Sequence, residues 1–167
     1  MSDALAELTR GPDFIVGRMT RRFDQAPATV WRTMTEPASL PLWLAAGRIE
    51  LRLGGAVRLA FEGSGTVIES EVLAFEAGAL LEFSWSQPGE PPRPVRWDLA
   101  GDGAGSQLTV TIKTPVAEDP GRACAGWEAH MAMRSAALAG APIGFPFEVF
   151  KAAREGYRPK VEALSRA

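Results

Sequence analysis

With 167 residues, 46% hydrophobic and 23% charged, the chain has the size and composition of one ordinary globular domain. Eighteen basic against twenty acidic side chains leave a net charge of -2, which argues against the clustered basic surface that nucleic-acid binding needs. A single cysteine, Cys124, rules out an intramolecular disulfide. No window reaches the ~18 apolar residues of a membrane span, and the opening MSDALAELTRG has no signal-peptide core, so a cytoplasmic location is expected.

No internal repeat or low-complexity tract divides the chain, so residues 1–167 read as one domain: a head over 1–13, a core over 14–139 and a helical extension over 140–167. The head reads as a turn or two of helix. FIVGRMTRRF, Phe14 to Phe23, reads as a strand. Pro27 then opens a helix, PATVWRTMT, with Val30, Trp31 and Met34 on its buried face. Glu36-Pro37 ends it, and a second short helix carries Leu40, Leu42 and Trp43.

From Arg48 to Pro115 the apolar period is two, and glycine-containing turns separate the runs. Leu81, Phe83 and Trp85 share one face of ALLEFSWS. Val95, Trp97 and Leu99 share one face of VRWDLAG, and Leu108, Val110 and Ile112 one face of SQLTVTIKT. Consecutive alternating strands with short turns predict an antiparallel meander. Beyond Pro115 the period is helical again. Cys124, Trp127, Met131, Arg134 and Leu138 fall at spacings of three and four, and Gly140 stops this helix. The tail carries a second stripe, Phe147, Phe150, Tyr157, Val161 and Leu164, with Pro159 predicting a kink or two pieces.

Strand, two short helices, meander and long helix is the element order of the START-like (SRPBCC) superfamily, and several motifs resemble it. RRFDQAPATVWRTMTEPASLPLWL resembles the family's opening, with its Pro-initiated helix, "VW" pair and closing Trp. The Gly54-Gly55 turn and the later G-T-V strand are similar too. GWEAHM, Gly126 to Met131, resembles the G-W-x-x-H-[LM] signature at the long helix. Together they resemble the branch named after the activator of the heat-shock chaperone ATPase. The resemblance implies an α+β helix-grip (START/Bet v-like) fold: a curved antiparallel sheet wrapped around a long C-terminal helix, with two short helices after the first strand. It also implies an apolar cavity, and says less about activity, because one fold hosts many functions. The family has a Leu where this chain has Arg134, and an arginine there either snorkels to the cavity mouth or meets an anion. Arg58 and Glu69 or Glu71 are internal partners for it if they point inward.

His130 is the only histidine, so neither a His-rich metal site nor a two-histidine relay is available. Cys124, Glu128 and His130 do not converge on one helical face, and no metal and no cofactor are expected. Cys124 reads as a small buried hydrophobe rather than a nucleophile. The candidate ligand-binding set is Trp43, Phe83, Trp85, Trp97, Trp127, His130, Met131 and Arg134, with core packing as the plain alternative for each aromatic. The expected function is binding of a small, largely apolar molecule, with an anionic group as the partner that Arg134 would suit. Two alternatives stand beside it: a co-chaperone-like partner of the heat-shock chaperone ATPase, and an aromatase/cyclase- or hydrolase-like enzyme. A homodimer is compatible with the implied fold.

Overall fold

A computed structural model describes residues 4–61 and 63–166. Among them the elements run β1 (Glu7–Arg10), β2 (Phe14–Phe23), α1 (Pro27–Thr35), α2 (Leu40–Trp43), β3 (Ala46–Ile49), β4 (Ala56–Ala60), β5 (Val67–Glu76), β6 (Leu80–Ser84), β7 (Pro94–Asp102), β8 (Gly105–Pro115), α3 (Pro120–Leu138) and α4 (Phe147–Arg166). The strands form one 8-stranded antiparallel sheet in the order β1-β2-β8-β7-β6-β5-β4-β3. The meander β3 to β8 is therefore continuous, and β2 closes onto β8. The fold is α+β helix-grip, as the element order predicts.

The strand interiors follow the alternation. Ile15 and Met19 of β2, Val95, Trp97 and Leu99 of β7, and Leu108, Val110 and Ile112 of β8 are all buried on the concave face. A bulge between Val72 and Ala74 lets β5 pair with β4 through its first half and with β6 through its second. Such a bulge bends the strand, and here it helps curve the sheet around α3. Asp119 caps α3, accepting from the backbone N–H of Gly121 at 2.9 Å and of Arg122 at 3.3 Å, with Pro120 in the first turn. The helix is buried on several sides at once, because the sheet lies on one side and α4 on the other. Gly17 of β2 is what allows the close approach: a Cβ there would lie 2.6 Å from the Cys124 sulfur.

Three local expectations are corrected. The head is not helical at Glu7–Arg10, which pairs as an edge strand with β2, from Glu7 opposite Arg18 to Arg10 opposite Ile15. An edge strand exposed along most of its length shows no apolar alternation to read. The tail is one helix, α4, with Pro159 inside it, which corrects the two-piece alternative. Both Pro159 and Glu155, whose carbonyl loses its helical donor, lie on the exposed side, where water substitutes. Phe147 is 65% exposed, and the inward stripe of α4 centres on Ala153 and Tyr157.

α4 is fastened by a polar cluster. Tyr157 donates its hydroxyl proton to Glu128 Oε1 at 2.8 Å and accepts from the Ala6 N–H at 2.7 Å. Arg21 of β2 donates to Glu128 Oε2, to the Ala4 carbonyl at 3.1 Å and to the Thr20 carbonyl at 2.9 Å. Burial, with the Glu128 charge adding to it, pushes the Tyr157 hydroxyl well above its ordinary range, so it stays protonated. One carboxylate thus joins β2, α3, α4 and the segment before β1. No helix among the described residues is long and apolar enough to cross a membrane.

Candidate functional site

Between the N-terminal half of α3 and the sheet lies a cleft of about 670 Å³. Its aromatic lining comes from Phe61, Trp85, Trp127, His130, Phe145 and Phe150. Trp85 follows directly on β6, where its N–H still donates to the Arg93 carbonyl at 2.8 Å and extends the β6–β7 ladder. Its ring meets Trp127 of α3 edge-on at 5.0 Å and Phe61 at 5.7 Å. Phe145 arrives from the α3–α4 connection and stands 5.6 Å from the His130 ring. Gly126 also faces the cleft, and a Cβ there would meet nothing within 4 Å.

A second aromatic layer lies beneath. Trp43 and Trp97 are 5.3 Å apart, Phe83 is 5.4 Å from Trp97, and all three are fully buried. Trp127 bridges the layers, 6.5 Å from Trp43 and 6.4 Å from Trp97. Of the sequence-derived set, Trp85, Trp127 and His130 line the cleft. Trp43, Phe83, Trp97, Met131 and Arg134 do not; they lie in the buried layer under it.

Arg134 is 0% exposed. Its guanidinium donates to two thioethers, Met34 Sδ at 3.3 Å and Met131 Sδ at 3.1 Å, and its carbon stands over the Phe23 ring at 4.4 Å and the Trp43 ring at 5.6 Å. Arg134 Nε, like the indole nitrogens of Trp43 and Trp97, has no hydrogen-bond partner among the described residues. Burial, with repulsion from Arg21 adding to it, lowers the Arg134 pKa to about 9, so the group still carries its charge at neutral pH. Glu69 and Glu71 do not serve as its partners: both are exposed, and Glu69 pairs with Arg58 on the outer surface at 3.3 Å.

His130 is 7% exposed, and its Nδ1 lies 2.9 Å from the Trp43 carbonyl oxygen. A carbonyl only accepts, so Nδ1 carries the proton and Nε2 on the far side of the ring is the bare nitrogen. Burial lowers the His130 pKa from 6.5 to about 4, with the Trp43 bond opposing the shift. An unfolded chain therefore takes up a proton near pH 6.5 that the folded protein refuses until about pH 4. The contribution of His130 to stability should fall through that window on acidification and level off below it. The full shift corresponds to about 3 kcal/mol. His130→Asn, whose amide N–H can still reach the Trp43 carbonyl, removes the titration. Urea unfolding at neutral and acid pH should show the wild type losing about 2–3 kcal/mol more than this variant. Parallel losses in the two proteins would mean that His130 is not held neutral.

The cleft mouth is charged. Arg93 donates to both Glu118 oxygens at 2.7 Å and reaches Glu90 at 3.1 Å, tying the β6–β7 loop to the turn before α3. Hydrogen bonding to Arg93 holds the Glu118 carboxyl below its ordinary range. Sequence reading missed this clasp, because loop residues far apart in the chain carry no periodic signal. Cys124 is buried, and burial pushes its thiol up to about 12, which removes it as a nucleophile near neutral pH. Among the described residues no group of three or more His, Cys, Asp or Glu side chains is placed to hold a metal ion.

A curved antiparallel sheet gripping one helix beside an aromatic cleft defines a START-like (SRPBCC) domain. The chain belongs to the family of Activator of Hsp90 ATPase homolog 1-like proteins, whose profile matches residues 24–138. The crystal structure of CalU16 from Micromonospora echinospora is similar, at 22% identity and a TM-score of 0.75, covering 99% of this chain and 98% of that one. A conserved protein of unknown function from Enterococcus faecalis, EF2215, is similar at 19% identity and a TM-score of 0.77, over 95% and 91% of the two chains. DynU16, described as a putative protein in the dynemicin biosynthetic locus, matches at 24% identity and a TM-score of 0.66, over 76% of this chain and 48% of that one. At these identities the likeness is one of fold. No curated protein sequence matches the chain.

Proposed function

We propose that the protein binds a small, largely apolar molecule with a flat aromatic face in the cleft between α3 and the sheet. The observation that carries this reading is the aromatic lining of an open cleft of about 670 Å³, within the range of small-molecule sites. Trp85 and Trp127 offer ring edges and faces for stacking, and the Arg93–Glu118 clasp holds the mouth in shape. Membership of a START-like family supports a ligand-binding role, as does the fold likeness to a protein from a biosynthetic locus. Trp43, Phe83, Trp97, Met131 and Arg134 contribute from beneath by fixing the cleft floor.

Gly126 supplies the test. It lies in a helix, and a side chain there meets no protein atom at its Cβ, so Gly126→Leu should leave the fold intact and project into the cleft. Calorimetric titration of flat aromatic probes such as 1-naphthol should show binding to the wild type and at least a tenfold loss in Gly126→Leu, at an unchanged or raised melting temperature. Equal binding by the two proteins would remove the cleft as the site.

The family match supports a second reading, a partner of the Hsp90 chaperone. A pull-down with the chaperone followed by an ATPase assay tests it, and no stimulation would remove it.

A further inference from the structure

We infer that His130 Nε2 accepts a hydrogen bond from a hydroxyl group on the bound ring system, so that the ligand is a phenol or another aromatic alcohol. The inference rests on the cleft being the binding site. Its geometric ground is the division of labour between the two ring nitrogens. Nδ1 is committed to the Trp43 carbonyl at 2.9 Å, which fixes the tautomer, and Nε2 has no protein partner among the described residues. The ring is also fixed in orientation. It lies among Trp127 at 5.6 Å, Phe145 at 5.6 Å, and Trp85 and Phe61 each at 6.2 Å.

A bare imidazole nitrogen in an aromatic wall discriminates by chemistry. A hydrocarbon leaves it without a donor, at the cost of desolvating an unpaired acceptor. An ionised carboxylate brings only acceptors, and it could pair with this nitrogen only by protonating a ring that burial keeps neutral down to about pH 4. A hydroxyl satisfies it, and the ring bearing that hydroxyl lies against Trp127 and Trp85. Selection of this kind, by leaving the wrong ligand's polar partner unmet, is among the sharper forms of small-molecule discrimination.

The experiment compares 1-naphthol with 1-methoxynaphthalene, which has the same ring and an ether in place of the donor. By calorimetry the wild type should bind 1-naphthol ~5–10-fold more tightly, the value of one hydrogen bond. In His130→Asn the amide keeps a donor for the Trp43 carbonyl but places nothing at the Nε2 position, so the two probes should bind alike. As His130 is the only histidine, its Nε2 nitrogen-15 resonance is also unambiguous in the unmutated protein, and it should move on addition of 1-naphthol and stay put with the ether. If the wild type binds both probes equally, or the preference survives in His130→Asn, the inference is overturned while the cleft reading stands. If neither probe binds, both fall.

Discussion

Glu128→Leu is expected to cost ~3–5 kcal/mol of stability, the usual penalty for removing one member of a buried ion pair. Glu128 is about 10% exposed and Arg21 about 6%, so water can solvate neither charge freely once the other has gone. The variant also takes the acceptor away from Tyr157, whose hydroxyl points at Glu128 Oε1. It further leaves the Arg21 guanidinium, already close enough to Arg134 to repel it, without this carboxylate. For a chain of this length the loss corresponds to roughly 10 °C in melting temperature. Glu128→Gln separates the contributions, since it removes the charge and keeps an oxygen for Tyr157. It should fall between the wild type and Glu128→Leu in urea unfolding. Should Glu128→Leu prove neutral, the cluster would not be what fastens α4 to the sheet.

Much of the architecture was legible in the sequence because it rests on periodicity. Val95-Trp97-Leu99 and Leu108-Val110-Ile112 alternate because one face of the sheet is buried, and a period of two is visible without any knowledge of neighbours. Pro27 and Gly140 mark helix ends through backbone chemistry that is equally local. What could not be read depends on contacts between distant segments. β1 exists only because β2 presents it an edge. α4 remains one helix because Pro159 falls on its exposed side. His130 can be recognised as a lone titratable group in the sequence, but its tautomer is set by the Trp43 carbonyl, 87 residues away.

The tryptophans show the same limit at the site. Trp43, Trp85, Trp97 and Trp127 were all legible as inward-facing, yet inward divides into two layers in the structure. Trp85 and Trp127 reach the cleft, while Trp43 and Trp97 are sealed below by the neighbouring rings. Depth along the inward normal is set by sheet curvature and by how closely α3 approaches at Gly17, and neither has a sequence period. The Arg93–Glu118 clasp is hidden in the sequence for a related reason, since it joins two loops whose meeting depends on the β6-to-β8 registers.

Arg134→Met is expected to move stability in the opposite direction from Glu128→Leu, raising it by ~1–3 kcal/mol, or ~5 °C in melting temperature. Arg134 sits on the inward face that its spacing predicts, but it neither snorkels to the mouth nor faces a carboxylate. Its guanidinium is held by two thioethers, which are weak acceptors, and its Nε has no acceptor among the described residues. What favours the charge is its contact with the Phe23 and Trp43 rings, ~0.5–2 kcal/mol together. Against this stand the desolvation of a full charge, several kcal/mol after relaxation, and repulsion from Arg21. Desolvation outweighs the ring contacts. Methionine keeps an unbranched chain of similar reach, so it fills the space between Met34 and Met131 with little cavity. The same substitution should partly rescue Glu128→Leu, because it removes one of the two like charges left behind. In a double-mutant cycle the two changes should therefore couple by more than the ~0.5 kcal/mol scatter of independent sites. A wild type more stable than Arg134→Met, with an advantage that grows on adding a small carboxylate such as acetate, would show instead that the guanidinium holds an anion in solution. It would also return Arg134 to the ligand-binding set. A stability gain with no response to anions would leave it as a buried charge that the fold tolerates at a cost.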